Sequence, residues 1–172
     1  ADEILTKLDE PKSLLDNKLE RISLAIKMGS VKKLGEILNL LNQVDSLVAV
    51  QPPEDKNTYD ILTRKSYFYD DLGRYEEAIS DTKKALDLAK QIGEIDRIVS
   101  AYNNLAISYT KTGDFESAID AISQVTTNDS LSKYGAASYN NLGDIYKQMG
   151  DDQHALFNYQ KSIDTYLQKY KY

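Results

Sequence analysis

The residues best suited to catalysis or metal binding are few in this sequence. It contains a single histidine, His154, and no cysteine, which excludes thiolate nucleophiles, disulfides and thiolate metal sites. Two adjacent acidic pairs occur, Asp70 with Asp71 and Asp151 with Asp152. Neighbours in sequence do not face one another on a helix, so neither pair makes a general acid and base. Since no glycine-rich phosphate loop is present either, we expect no enzymatic activity, no cofactor and no metal, with His154 at the surface.

Composition and charge are those of an ordinary globular domain. The chain has 172 residues, 41% hydrophobic and 28% charged, enough to build one core. The formal net charge of −6 disfavours a phosphate-binding surface, so we expect no nucleic-acid partner. No apolar run approaches the roughly 18 residues of a membrane span, and we expect no membrane partner. The chain starts at Ala1 rather than Met, which indicates processing or excision. A cytoplasmic location is favoured, and a periplasmic or extracytoplasmic one stays open.

Paired asparagines draw attention to an internal repeat. The stretches 102–119 and 139–156 are identical at eight of 18 positions and start 37 residues apart. Each opens with Tyr-Asn-Asn-Leu, which gives the pairs Asn103 with Asn104 and Asn140 with Asn141. Apolar packing does not require amides at these positions, and asparagine is a mediocre helix former. The asparagines are therefore candidate binding residues.

A third copy of the repeat becomes visible when the sequence is aligned on glycine. Gly73, Gly113 and Gly150 each follow a helix-length run and each precede an alanine by five residues. Glycine can supply the left-handed residue that ends a helix, and Asp114 and Asp151 can cap the next one. The small alanine lets the two helices approach closely. The pattern predicts helix hairpins that stack, because one hairpin cannot bury its own apolar face.

The segment before these copies, residues 11–48, is also helical in pattern. Leu15, Leu19, Ile22 and Ile26 recur at helical spacing, and a similar set follows between residues 34 and 44. Pro11 suits the first turn of a helix, and Gly29 with Ser30 separates the two helices. The only clear linker is VQPPEDKNT, at residues 50–58.

The repeat resembles the tetratricopeptide repeat family. The copy that starts at residue 139 matches the family pattern at Tyr139, Leu142, Gly143, Tyr146, Gly150 and Ala155, with Tyr159 in the later aromatic position. The earlier copy matches at Tyr102, Leu105, Ala106, Tyr109, Gly113, Phe115 and Ala118. Spacings of 37–40 residues exceed the family's usual length, as in kinesin light chains, cell-polarity adaptors and bacterial sensor and peptide-response regulators.

The resemblance implies an all-α, right-handed superhelical solenoid of antiparallel helix hairpins. The whole chain, residues 1–172, is then a single domain. We expect a degenerate first hairpin at 11–48 and repeats at 58–96, 97–130 and 133–172. The resemblance is strong over 58–165 and weak before it, and Lys65 with Ser66 replaces the family's Leu-Gly pair in the first clear copy.

The resemblance also implies a function. In this family the first helices line a concave groove, and in several members an asparagine before the Leu-Gly pair bonds the backbone of an extended peptide, as its donor and acceptor allow. Asn104 and Asn141 hold that position. The implied partner-binding set is Arg64, Tyr67, Asn103, Asn104, Ile107, Lys111, Asn140, Asn141, Asp144 and Gln148. The alternative is that the asparagines are solvated or bond between helices. Of the positions that read chaperone carboxylate tails, only Asn104 matches, so no such clamp is expected.

We therefore expect a non-catalytic protein–protein interaction module that binds a peptide or helix in its groove. The alternative is a sensory or regulatory segment of a larger signalling protein, such as a bacterial one. Self-association is a further expectation, because Tyr166 and Tyr170 form a stripe on the last helix, and tyrosine is common at protein interfaces.

Overall fold

Helix hairpins account for the described part of the chain. The computed structural model describes residues 16–22, 24, 34–48, 56–128 and 135–169, and no strand occurs within these ranges. The helices are α1 (residues 16–22), α2 (Leu34–Val48), α3 (Lys56–Asp71), α4 (Tyr75–Ile92), α5 (Ile95–Thr112), α6 (Phe115–Thr126), α7 (Ala136–Gln148) and α8 (Asp152–Lys169). The all-α solenoid predicted from the sequence is confirmed.

The N-terminal helices pack on the first clear repeat. Leu19 and Ile22 of α1 are buried together with Ile37 and Leu41 of α2, in a cluster that includes Tyr69 of α3. Pro11, expected in the first turn of the first helix, and Gly29 with Ser30, expected to separate the two helices, lie outside the described residues. The linker expected at 50–58 ends earlier than predicted, because α3 already begins at residue 56.

Left-handed glycines separate the two helices of each repeat. Gly73, Gly113 and Gly150 have φ angles of 72°, 81° and 81°, as the sequence predicted. After each glycine, the next backbone N–H donates to a tyrosine carbonyl five residues earlier, at 2.8–3.0 Å, and so closes the helix end. Gly93, with φ of 72°, ends α4 in the same way. The repeat alignment did not single out Gly93, because it lies between hairpins and has no counterpart in the other copies.

Aspartates cap the second helices of two repeats, as predicted. Oδ1 of Asp114 accepts the backbone N–H of Ser117 at 3.1 Å, and Oδ1 of Asp151 accepts that of His154 at 3.0 Å. Hydrogen bonds from Ser117 lower the pKa of Asp114, and those from His154 lower the pKa of Asp151. Both carboxylates are therefore stabilised in the charged form at the positive end of a helix.

The core runs along the stack between neighbouring hairpins. Ile79 and Leu86 of α4 are buried in one cluster with Ala101 and Leu105 of α5, and this cluster also holds Ile145 of α7. The repeat alanines at the closest helix approach are all buried: Ala78, Ala118 and Ala155. This packing places α3, α5 and α7, the first helices of three successive hairpins, side by side.

Candidate functional site

The predicted binding residues lie on α3, α5 and α7, and polar contacts join these helices. Nδ2 of Asn104 on α5 donates to Oη of Tyr67 on α3 at 3.1 Å. Lys111 on α5 forms an ion pair with Asp70 on α3. The sequence marked Asp70 only as half of an acidic pair and did not reveal its ion pair with Lys111. The two residues are 41 positions apart in the sequence.

A cavity between α5 and α7 gathers half of the predicted set. It has a volume of about 260 Å³, and the predicted residues that line it are Ile107, Lys111, Asn141, Asp144 and Gln148. Ala106, Thr110 and Ile145 complete the lining. Among these residues the polar Lys111, Asp144 and Gln148 are exposed, whereas Ala106 and Ile145 are buried, so the mouth is polar and the floor largely apolar.

A smaller cleft lies between α3 and α5. Its volume is about 30 Å³, and Tyr67, Asn104, Asp70 and Ile107 are among its lining residues. Ile107 lines both spaces, so the α3–α5 cleft and the α5–α7 cavity are adjacent. The two together are named the groove below. Tyr67 and Ile107, 50% and 40% exposed, are the large apolar side chains accessible within it.

Asn103 does not face the groove. Its side chain is buried, Nδ2 donates to the backbone carbonyl of Val99 at 2.9 Å, and Oδ1 accepts from Nδ2 of Asn141 at 2.9 Å. Adjacent helix residues point about 100° apart, which turns Asn103 toward α7 while Asn104 points toward α3. Asn103 thus bonds between helices, which was the alternative to peptide binding, and Asn141 is the donor of that hydrogen bond.

Arg64 and Asn140 line neither part of the groove. Nη1 of Arg64 lies 3.3 Å from Oδ1 of Asp16 on α1, and both side chains are well exposed. Asn140 is exposed and donates to Oδ2 of Asp144 at 3.4 Å, one helical turn away. Arg64 therefore ties α3 to α1, and Asn140 reaches the groove only through Asp144.

Asp144 is supported by a residue that sequence reasoning assigned to packing alone. Oη of Tyr159 on α8 donates to Oδ1 of Asp144 at 2.7 Å. This hydrogen bond raises the pKa of Tyr159 to about 12, because the neighbouring carboxylate disfavours a second negative charge. The Tyr159 ring packs over Gly143. The preceding repeat has Ala106 at the position of Gly143, and this difference was the sequence signal that could have indicated the contact.

His154 is exposed on the first turn of α8, as expected. Its Nδ1 lies 2.6 Å from Oδ2 of Asp151, and its ring stacks on Tyr146 with centroids 5.0 Å apart. The parts of the chain that the structure describes contain no group of three or more acidic or histidine residues placed to hold a metal ion. Their helices also include none that is long and apolar enough to cross a membrane.

Comparisons with known proteins agree with this architecture. Sequence profiles described as "Tetratricopeptide repeat" match residues 58–130 and 136–168, which together exceed half of the chain. A comparison with curated protein sequences found no match.

Solved structures also align with this chain. BtubC (BKLC) from P. vanneervenii aligns with a TM-score of 0.54 and 18% identity over 88% of this chain and 73% of that one. A MamA mutant aligns over 96% of this chain and 99% of that one, with 15% identity and a TM-score of only 0.35. Repeats of this kind serve as protein–protein interaction modules. The profile matches, the glycine-ended hairpins and their stacking place the chain in the tetratricopeptide repeat family.

Proposed function

We propose that the protein is a non-catalytic interaction module that holds an extended segment of a partner protein or peptide along the groove. The observation that carries this proposal is the α5–α7 cavity of about 260 Å³ beside the Tyr67–Asn104 pair. That volume lies below the range usual for drug-sized ligands, and it suits one large apolar side chain of a longer ligand.

Polar groups around the cavity match the needs of a peptide backbone. Asn141 commits its Nδ2 to Asn103 and keeps a carbonyl oxygen as acceptor, while the exposed Gln148 amide offers both donor and acceptor. A partner side chain would bury apolar area against Ile107, which adds affinity that the backbone bonds alone do not give.

Ile107→Ala is the variant that tests this groove most directly. Short capped peptides of random sequence are screened on an array, and the best binder is titrated by fluorescence anisotropy. We expect Ile107→Ala to weaken its affinity roughly tenfold, since apolar contact area is lost. Ile163→Ala on α8 is the matched control, because Ile163 is also an exposed helical isoleucine, 52% against 40%, and lies outside the groove.

Two outcomes contradict the proposal. One is that no peptide binds the wild-type protein although circular dichroism shows that the protein is folded. The other is that the control variant weakens binding as much as Ile107→Ala does. Asn141→Ala is a poor test, because it would leave the buried Oδ1 of Asn103 without its donor.

We further propose that α8 carries a second surface, at which two copies of the chain associate. Its exposed apolar residues are Leu156, Phe157, Ile163, Tyr166 and Leu167, between 52% and 72% exposed. Tyr170, the other residue expected there, lies outside the described residues. By repeat position, Leu156 and Ile163 correspond to Ile79 and Leu86 of α4, which the next hairpin buries. The α8 surface thus continues the interface that joins the hairpins, and a second copy offers the same helix to cover it.

Sedimentation over a range of concentrations tests the association. We expect the mean mass of the wild type to rise with concentration and that of Ile163→Glu to stay at one chain. Ile107→Glu, which places the same charge in the groove, is the matched control and should associate as the wild type does. A wild type that remains one chain at high concentration would overturn this second proposal and leave the groove proposal standing.

A further inference from the structure

We infer that the groove selects segments in which a basic side chain, lysine or arginine, lies next to a large apolar one. This inference rests on the proposed peptide-binding function and names the class of ligand. The apolar side chain would occupy the α5–α7 cavity against Ile107, and the basic one would pair with Asp144 at the mouth of that cavity.

The charge balance at the cavity favours a cation. Two charged residues line it, Lys111 and Asp144. Lys111 is already neutralised by its ion pair with Asp70. Asp144 accepts hydrogen bonds from the neutral groups of Tyr159 and Asn140, and among the described ion pairs none includes it. One uncompensated negative charge therefore remains at the mouth.

The surroundings of Asp144 keep this carboxylate in place. Its Oδ1 is held at 2.7 Å by the Tyr159 hydroxyl, which is anchored on the neighbouring helix α8. Because the donor is neutral, it orients the carboxylate without cancelling its charge. The net charge of −6 on the chain attracts basic segments over longer distances as well.

An acidic ligand would meet the opposite situation. It would face Asp144 directly, and it would share Lys111 with Asp70, which already balances the charge of that lysine. Drawing Lys111 away from Asp70 would be unfavourable, because the Asp70 side chain is largely buried and its Oδ1 has no hydrogen-bond partner. The arrangement thus discriminates against acidic segments as well as favouring basic ones.

Three pools of capped peptides test the inference. Each pool has one fixed leucine flanked by lysine, glutamine or glutamate, with uncharged residues elsewhere, and binding is followed by fluorescence anisotropy. We expect the lysine pool to bind about fivefold more tightly than the glutamate pool at low salt, since an exposed ion pair replaces a repulsion, and the difference to shrink as salt is added.

Asp144→Asn identifies the residue responsible. Asparagine retains an oxygen for the Tyr159 bond and removes the charge, so the preference for the lysine pool over the glutamate pool should disappear. Asp164→Asn is the matched control: Asp164 is an exposed carboxylate on α8, bonded to Gln160 and remote from the groove, and the preference should persist.

The outcomes separate the inference from the function on which it rests. Equal binding of the three pools, or tighter binding of the glutamate pool, overturns the inference and leaves peptide binding intact. A preference for lysine that survives Asp144→Asn also overturns it. Failure of all three pools to bind counts against both the inference and the proposed function.

Discussion

At the scale of single residues, Gly143 sets how closely the two helices of the last hairpin approach. A Cβ built on Gly143 would lie 2.5 Å from Cε1 of the Tyr159 ring, closer than such atoms approach in proteins. Tyr159 is in turn held by its bond to Asp144. The preceding repeat has Ala106 at the same position. Glycine is therefore required here by the Tyr159 ring of this hairpin and not by the fold in general.

Gly143→Ala should therefore destabilise the protein by about 1–3 kcal/mol, the usual cost of overpacking. The matched control is Gly35→Ala, also in a helix, where an added Cβ meets nothing within 4 Å. We expect the control to leave stability unchanged or to raise it by up to about 1 kcal/mol, because alanine favours the helix. Urea unfolding followed by circular dichroism measures both. Equal effects of the two substitutions would show that the Tyr159 contact does not limit the packing.

At the scale of helices, α3 and α4 are joined by a buried ion pair, and the described residues of the two hairpins that follow contain no counterpart of it. The Lys65 side chain is 1% exposed, and its Nζ lies 2.9 Å from Oδ2 of Asp81. By repeat position, Lys65 replaces Leu105 of the next hairpin and Asp81 replaces Ala121. Nζ of the exposed Lys84 also contacts Asp81, at 3.1 Å from Oδ1.

The chain itself suggests how to test this pair. Lys65→Leu alone should cost about 3 kcal/mol, since it leaves a buried carboxylate without its main cation. Lys65→Leu combined with Asp81→Ala recreates the residues of the next hairpin and should recover most of that loss, or exceed wild-type stability. Lys84→Ala, which removes only the exposed partner, should cost less than about 1 kcal/mol. Urea unfolding measures the stability of the wild type and the three variants. A double variant no more stable than Lys65→Leu would contradict the expected recovery.

The capping aspartates of α6 and α8 should give the protein a specific dependence on acid. The pKa values of Asp114 and Asp151 are lowered in the folded state by their hydrogen bonds. Their contribution is therefore complete above the ordinary aspartate pKa of about 3.9 and is lost as the pH falls through that value toward the lowered ones.

Asp114→Asn with Asp151→Asn tests this dependence, because asparagine caps a helix but does not titrate in this range. Thermal unfolding is measured between about pH 6 and about pH 3. We expect the melting temperature of the wild type to fall further over this range than that of the double variant. Parallel curves for the two proteins would mean that other carboxylates govern the acid response.

Features that depend on contacts within one helix terminus were predictable from the sequence. Features that depend on how separate helices pack together were not. The turn glycines and the capping aspartates act on backbone groups a few residues away, so their spacing alone revealed them. Asn103 and Asn104 are adjacent residues of the same type, and the positions of α3 and α7 decide that one is buried and the other lines the groove. The bonds Lys111–Asp70 and Tyr159–Asp144 likewise depend on packing across 41 and 15 residues.

At the scale of the whole molecule, stability should vary along the stack. In a solenoid each hairpin is stabilised mainly by its neighbours, so a helix covered on one side opens more readily than one covered on both. α5 packs against α4, α6 and α7, whereas α8 packs chiefly against α7 and exposes its apolar stripe. The same exposure that makes α8 available to a second copy should therefore make it the less protected helix in a single chain.

Hydrogen exchange measured by mass spectrometry tests both sides of this argument. In dilute protein we expect the amides of α8 to exchange faster than those of α5. Raising the protein concentration should slow exchange in α8 and leave α5 unchanged, because the proposed association would cover α8 and not α5. Ile163→Glu should remove the concentration dependence, and Ile107→Glu should retain it. Uniform exchange along the chain would instead indicate that the hairpins open together as one cooperative unit.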